Sequence, residues 1–213
     1  MPTKFILIRH GQTDWNLNKR YSGYLDVSLN QNGKAQAKRL HHRLKTSQID
    51  KIYSSDRIRA IQTAKIVFKN REIEKIADLR EVHFGVFEGL TYQEIIKKHP
   101  IAYKKWLKNP YSIKIPKGEH LTDFKKRIVK AFRKIAILNK NKTVAIVSHG
   151  GVISIFVNHL LKSKKFWQQV PSSASLSIVE YNKGKAKIKL FNDFSHLNQD
   201  PVLQPKNQAK TGS

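Results

Sequence analysis

Two apolar runs in this chain each end in a histidine followed by glycine. Phe5–Ile8 leads into Arg9-His10-Gly11, and Val144–Val147 leads into Ser148-His149-Gly150-Gly151. Short apolar runs of this kind suit strands covered on both faces. In open α/β sheets, ligands bind outside the carboxyl ends of the strands, which is where both histidines emerge. Glycine lets the backbone approach a ligand closely, and amides at a helix start can face an anion. An imidazole can act as a nucleophile when one nitrogen is unprotonated and an acceptor holds the other. The Arg9 guanidinium beside His10 adds a planar, permanently charged fork that fits two oxygens at once.

Two further segments carry candidate chemistry. Tyr53-Ser54-Ser55-Asp56-Arg57-Ile58-Arg59 runs from a strand end into a helix and brings another guanidinium near a helix start. Leu79-Arg80-Glu81-Val82-His83-Phe84-Gly85-Val86-Phe87-Glu88-Gly89 is a glycine-punctuated loop that places carboxylates in a very basic chain. None of His41, His42, His83, His99, His120, His159 and His196 stands at a metal-ligand spacing. His83 and His120 read as loop residues.

The elements that must position these groups alternate. Residues 4–9 read as a strand, 31–46 as a helix, 49–54 as a strand, 57–68 as a helix and 72–76 as a short strand. Residues 81–90 read as loop. Thr91 caps a helix over 92–98, with Glu94 completing the box. Helices follow over 100–107 and 121–138, a strand over 143–148, a helix over 151–161, and a terminal hairpin over 175–181 and 185–191. This alternation predicts a three-layer α/β/α domain over residues 1–198, built on a mostly parallel central sheet. Residues 199–213 are polar and pattern-free and read as a flexible tail.

The chain has 213 residues and no cysteine, which excludes disulfides and thiolate metal sites and is compatible with a reducing cytoplasm. Its start lacks a signal-peptide pattern, and no apolar run approaches the length of a membrane span. Lys and Arg number 41 against 15 Asp and Glu, a formal charge of +26. Three readings of that charge stay open: ordinary solvated surface, a nucleic acid or other polyanion partner, or steering of a phosphorylated substrate. Oligomeric state is not legible.

Arg9-His10-Gly11 with Thr13, Trp15 and Asn16, then Ser54-Ser55-Asp56 with Arg59-Ala60 and Gln62-Thr63-Ala64, then Glu81, then His149-Gly150, resemble the histidine phosphatase superfamily. That superfamily includes cofactor-dependent phosphoglycerate mutases and small phosphomonoesterases. The matches come in the family's order and span residues 5–192. The resemblance implies a phosphoglycerate mutase-like fold with His10 as the nucleophile that takes the phosphoryl group. It implies that Arg9, Arg59 and His149 surround the phosphate oxygens, that Asn16, Ser22 and Gly150 help bind them, and that Glu81 is general acid and base. It implies no cofactor and no metal. The partner is then a small phosphorylated metabolite.

Within the family, hydrolysis is the expected outcome. Mutases typically carry a tyrosine after the catalytic Glu, Asn-Lys after the Gly-Leu, and a larger insertion. Here the stretch is His83-Phe84-Gly85 and Gly89-Leu90-Thr91, as in the small phosphatases. Mutase activity is the alternative, and a basic polyanion-binding protein with a retained phosphate pocket is the alternative of another class. Three positions depart from the usual pattern. Ser22 stands where many family phosphatases have Gln, Lys117-Gly118-Glu119-His120 where Gly-Gly-Glu-Ser is common, and Arg57 where an apolar residue is usual. The aromatics Phe84, Phe87, Tyr92, Tyr103 and Trp106 could lid the leaving group or simply pack in the core.

Overall fold

A computed structural model describes residues 2–163, 169–182 and 185–198. Its centre is a six-stranded sheet in the order β3-β2-β4-β1-β5-β6. The strands are β1 (Thr3–Arg9), β2 (Lys51–Ser54), β3 (Glu74–Lys75), β4 (Thr143–Ser148), β5 (Leu176–Asn182) and β6 (Lys185–Asp193). β1, β2, β3 and β4 run parallel, and β5 is antiparallel to both β1 and β6. The helices are α1 (Asp14–Leu17), α2 (Gln31–Leu44), α3 (Ile58–Phe68), α4 (Tyr92–Lys98), α5 (Pro100–Lys108), α6 (Leu121–Leu138) and α7 (Gly150–Leu160).

Successive residues of a strand point to opposite faces, and β1 uses this to hold both helical layers. Phe5 and Leu7 pack with Phe132 of α6 and Phe156 of α7, whereas Ile6 and Ile8 pack with Leu40 of α2 and Ala64 of α3. Phe132 and Phe156 stack at 3.8 Å, and Phe5 meets Phe132 edge-on at 5.7 Å. Each such buried ring contributes roughly 1.5–3 kcal/mol of burial energy. The architecture is the three-layer, mostly parallel arrangement read from the alternation.

Several local features differ from the sequence reading. α1 was not foreseen, because one turn is too short for a periodic pattern; Thr13 and Asn16 make it with a capping box. β3 is only two residues, both exposed, so it lacks the apolar content that would extend it. Residues 49 and 50 stay outside β2, while α7 begins one residue early, at Gly150. The buried face of α2 is Gly33, Ala37, Leu40 and Leu44. The capped helix after Thr91 and the long helix over 121–138 match their expected bounds. Lys185, Lys187 and Lys189 alternate on the wet face of β6, whereas Lys183 and the segment 199–213 lie outside the described residues. Among the described residues, no helix is long and apolar enough to cross a membrane.

Candidate active site

β1 and β4 are neighbours in register, so Arg9 pairs with Ser148 and the two histidines that follow leave the sheet side by side. The His10 N–H donates to the Ser148 carbonyl at 2.9 Å. The rings meet at 5.2 Å and 65°. Both are almost wholly buried. A carbonyl only accepts, so the 2.8 Å contact between His10 Nδ1 and the Gly11 carbonyl puts the proton on Nδ1. Nε2 is then the unprotonated nitrogen of a residue that lines the cavity. Burial, followed by the positive charges of Arg59 and Arg9, holds the His10 pKa well below its ordinary value. The ring is therefore neutral at physiological pH.

The turn after His10 is made by close backbone packing. A Cβ on Gly33 would stand 2.0 Å from the Gln12 carbonyl oxygen, and one on Gly11 would stand 2.6 Å from the Gly33 carbonyl oxygen. Thr63 on α3 accepts from the Gly11 N–H at 3.0 Å. These contacts seat the start of α2 and the middle of α3 directly against the chain that carries His10.

Arg59 is completely buried, an unusual place for a guanidinium. Its Nη1 donates to the Leu25 carbonyl at 2.9 Å and its Nη2 to the Gly23 carbonyl at 2.7 Å. It therefore fixes the loop that presents Ser22. Burial lowers its pKa to about 10, with Glu81 opposing the shift, and it stays charged. Arg9 donates through Nη1 to the Pro171 carbonyl, and burial lowers its pKa while Glu81 raises it. Asn16 accepts from the N–H and the hydroxyl of Thr13 at 3.0 and 3.1 Å, which leaves its amide nitrogen as the free donor. Glu81 accepts from the Val82 N–H at 3.0 Å and from the Gly151 N–H, at the start of α7, at 2.8 Å.

Arg9, His10, Asn16, Ser22, Arg59, Glu81 and Gly150 all line one cavity of about 320 Å³. His149 stands beside His10 rather than in the lining, with Nε2 2.8 Å from the Ser55 hydroxyl. Four buried polar atoms here find no partner among the described residues: Arg9 Nε, Arg59 Nε, Ser22 Oγ and His149 Nδ1. Buried polar groups in proteins are nearly always hydrogen-bonded, and each orphan costs about 1–3 kcal/mol. A ligand with several oxygens would offset that cost. Among the described residues, no group of three or more His, Asp or Glu is placed to hold a metal ion.

The other candidates from the sequence lie elsewhere. The Glu88 carboxylate accepts from the N–H groups of Phe84, Tyr24 and Leu25, so it ties two loops together. Glu94 caps α4 and pairs with Arg20 at 2.7 Å. His83 packs on Tyr24, and His120 caps α6. Phe87, Tyr103 and Trp106 are buried core residues, Tyr92 is half exposed, and Phe84 alone of the five aromatics reaches the cavity. Arg57 has a clear role: its Nη1 donates to the Tyr24 carbonyl at 2.9 Å, and it lies 3.4 Å from Asp26.

One residue near the site escaped the sequence reading altogether. Arg127 on α6 donates to the carbonyls of Asp78, Arg80 and Glu81 at 2.8, 2.9 and 3.0 Å, and it pairs with Glu119 at 2.7 Å. It holds the backbone from which Glu81 projects. No signal marks it, since it is one cation among many on a lysine-rich helix. Thr63 and Ser55 lie within the family motifs, but their partners are only visible in three dimensions.

A profile of the histidine phosphatase superfamily (branch 1) matches residues 5–194. Phosphoglycerate mutase-like protein 4 of Arabidopsis thaliana is 35% identical over 206 residues, covering 94% of this chain and 90% of its own. The metal-independent phosphoserine phosphatase of the same plant is 32% identical over 207 residues, covering 95% of this chain and 86% of its own. The solved structure of Bacillus stearothermophilus YhfR superposes with a TM-score of 0.85 at 32% identity, covering 92% of this chain and 99% of that one.

Proposed function

The chain belongs to the histidine phosphatase superfamily and is a phosphatase, and we propose that it hydrolyses a small phosphomonoester through a phosphohistidine at His10, without a metal. The observation that carries this reading is that the residues bearing orphaned buried donors, Arg9, Ser22 and Arg59, line one cavity with a neutral imidazole. Arg9 Nε, Arg59 Nε, Ser22 Oγ and the Asn16 amide suit the equatorial oxygens of a phosphoryl group. His149 stands just behind them: a Ser55 hydroxyl that donates to its Nε2 would leave the proton on its unpartnered Nδ1. Phosphoryl transfer rests mainly on positioning and on stabilising those oxygens. Guanidinium groups supply the positive charge that a metal would otherwise bring.

In the first step His10 Nε2 attacks phosphorus, the bond from phosphorus to the ester oxygen breaks, and Glu81 gives its proton to the leaving alkoxide. In the second step water attacks phosphorus, Glu81 takes a proton from it, and the bond to Nε2 breaks to release phosphate. His10 returns neutral, and Glu81 regains the proton it gave. Phosphoserine is the first ester to try, given the plant relative's name. A cysteine-free chain suits the cytoplasm, where such metabolites occur.

The test is a panel of phosphomonoesters assayed after chelator treatment, including phosphoserine and 3-phosphoglycerate, with phosphate release and isomerisation both followed. We expect phosphate release that survives the chelator and disappears in His10→Ala, together with a trapped phosphoryl group on the wild type. Undiminished turnover in His10→Ala, or loss of activity on chelation, overturns the mechanism. Dominant isomerisation primed by a bisphosphate replaces the phosphatase reading with a mutase.

A further inference from the structure

A second hollow, of about 610 Å³, runs along α6 beside His159 of α7 and shares no lining residue with the catalytic cavity. It is lined by the cations Lys125, Lys126, Lys130, Arg133 and Lys134 and by the aliphatic side chains of Val129, Ile137 and Leu138. Ile137 and Leu138 are 67% and 62% exposed, and Leu161, just past α7, is 53% exposed. No acidic side chain lines the hollow. Asp123 pairs with Lys126 at 3.7 Å, but Lys125, Lys130, Arg133 and Lys134 have no ion-pair partner among the described residues. Burial, then the charges of Lys125 and Arg133, lower the pKa of His159 in the same hollow.

Chain direction sets where this face points. α6 ends where β4 begins, and α7 begins where β4 ends. The ends of both helices therefore lie at the amino-terminal edge of the sheet, opposite the edge that carries His10 and His149. Ile137 and Leu138, at the end of α6, thus sit on the side of the sheet away from the catalytic mouth.

We infer that this face of α6 docks on an anionic lipid surface, with Ile137 and Leu138 entering the boundary between headgroups and acyl chains. A helix face that mixes cations with exposed aliphatic side chains suits that interface. Lysine stems cover apolar surface while their ammonium groups reach anionic headgroups. A single-stranded nucleic acid would instead call for aromatic stacking platforms, and among the described residues no Phe, Tyr or Trp lines this hollow. The inference stands independently of the reaction at His10.

The test is sedimentation of the full chain with phosphatidylcholine vesicles, with and without phosphatidylserine. Binding should require phosphatidylserine and weaken as salt rises. Replacing Lys130→Gln, Arg133→Gln and Lys134→Gln together should lower partitioning by about 100-fold, at roughly fivefold for each cation. Ile137→Ser with Leu138→Ser should lower it by about 100-fold at unchanged charge, while retention on heparin stays the same. All five positions are exposed, and thermal melts check that the variants fold. Failure of the wild type to bind phosphatidylserine vesicles overturns the inference without a variant. Vesicle binding that ignores the Ile137 and Leu138 changes, and that an oligonucleotide competes away, assigns the face to nucleic acid instead.

Discussion

At the residue scale, the site separates groups that face the cavity from groups that aim them. Glu81 faces it, between the Val82 and Gly151 amides. Glu81→Gln should lower kcat for an alkyl phosphate by about 10²–10⁴-fold with little change in KM. With p-nitrophenyl phosphate, whose leaving group needs no proton, the first step should survive, and a phosphorylated enzyme should accumulate in quenched-flow samples. Loss of both steps alike would remove Glu81 from the role of acid. Arg127 aims: it gathers three carbonyls around the Glu81 backbone without lining the cavity. Arg127→Lys keeps the charge but cannot span those acceptors. We expect it to lower kcat while phosphate still inhibits at the wild-type concentration. Weakened phosphate inhibition would mean that Arg127 acts on the anion seat itself.

At the element scale, two glycines set how closely helices approach the strand ends, with different consequences. A Cβ on Gly33 meets backbone, the Gln12 carbonyl oxygen at 2.0 Å, so α2 must move as a body. Gly33→Ala should therefore cost stability, about 1–3 kcal/mol by the usual scale of overpacking, seen as a lower denaturant midpoint. A Cβ on Gly151 instead meets the Glu81 carboxylate oxygen at 2.2 Å, the end of a side chain that can swing away. Gly151→Ala should leave the midpoint nearly unchanged and reduce kcat in the manner of Glu81→Gln. Equal effects of the two substitutions on stability would show that α7 is as tightly constrained as α2.

At the scale of the whole molecule, burying two imidazoles makes stability depend on pH. Folded, His10 and His149 bind protons only well below the ordinary 6.5, because burial and the guanidinium groups oppose a third charge. Unfolded, both titrate near 6.5. Between those limits the unfolded chain holds more protons, so stability rises with pH. The full contribution is present above about pH 6.5, and it falls on acidification by up to ~1.4 kcal/mol per pH unit for each ring. Asp56, held at about 2 chiefly by its hydrogen bonds to Arg80, adds a loss only as pH drops below its ordinary 3.8. Chemical denaturation from pH 7 to 5 should show this slope in the wild type and a shallower one in His149→Asn. A slope unchanged by that substitution would place the acid sensitivity elsewhere.

The sequence by itself determined the layers, the family and the segments that carry chemistry. Periodicity and the strand-His-Gly pattern are local properties, and the short range of backbone sterics and burial makes them readable in order along the chain. The family resemblance already singled out Glu81; what only the tertiary structure decided is where its neighbouring carboxylates go. Glu81, Glu88 and Glu94 lie within fourteen residues of one another, yet only Glu81 lines the cavity, while the others hold loop and helix amides. It also decided that Arg59 turns both terminal nitrogens to the loop at Gly23 and Leu25, and that Arg127 supports Glu81 from a distant helix. Those contacts join residues far apart in the chain, and a hydrogen bond is set by distance and direction in space, which spacing along the chain does not encode.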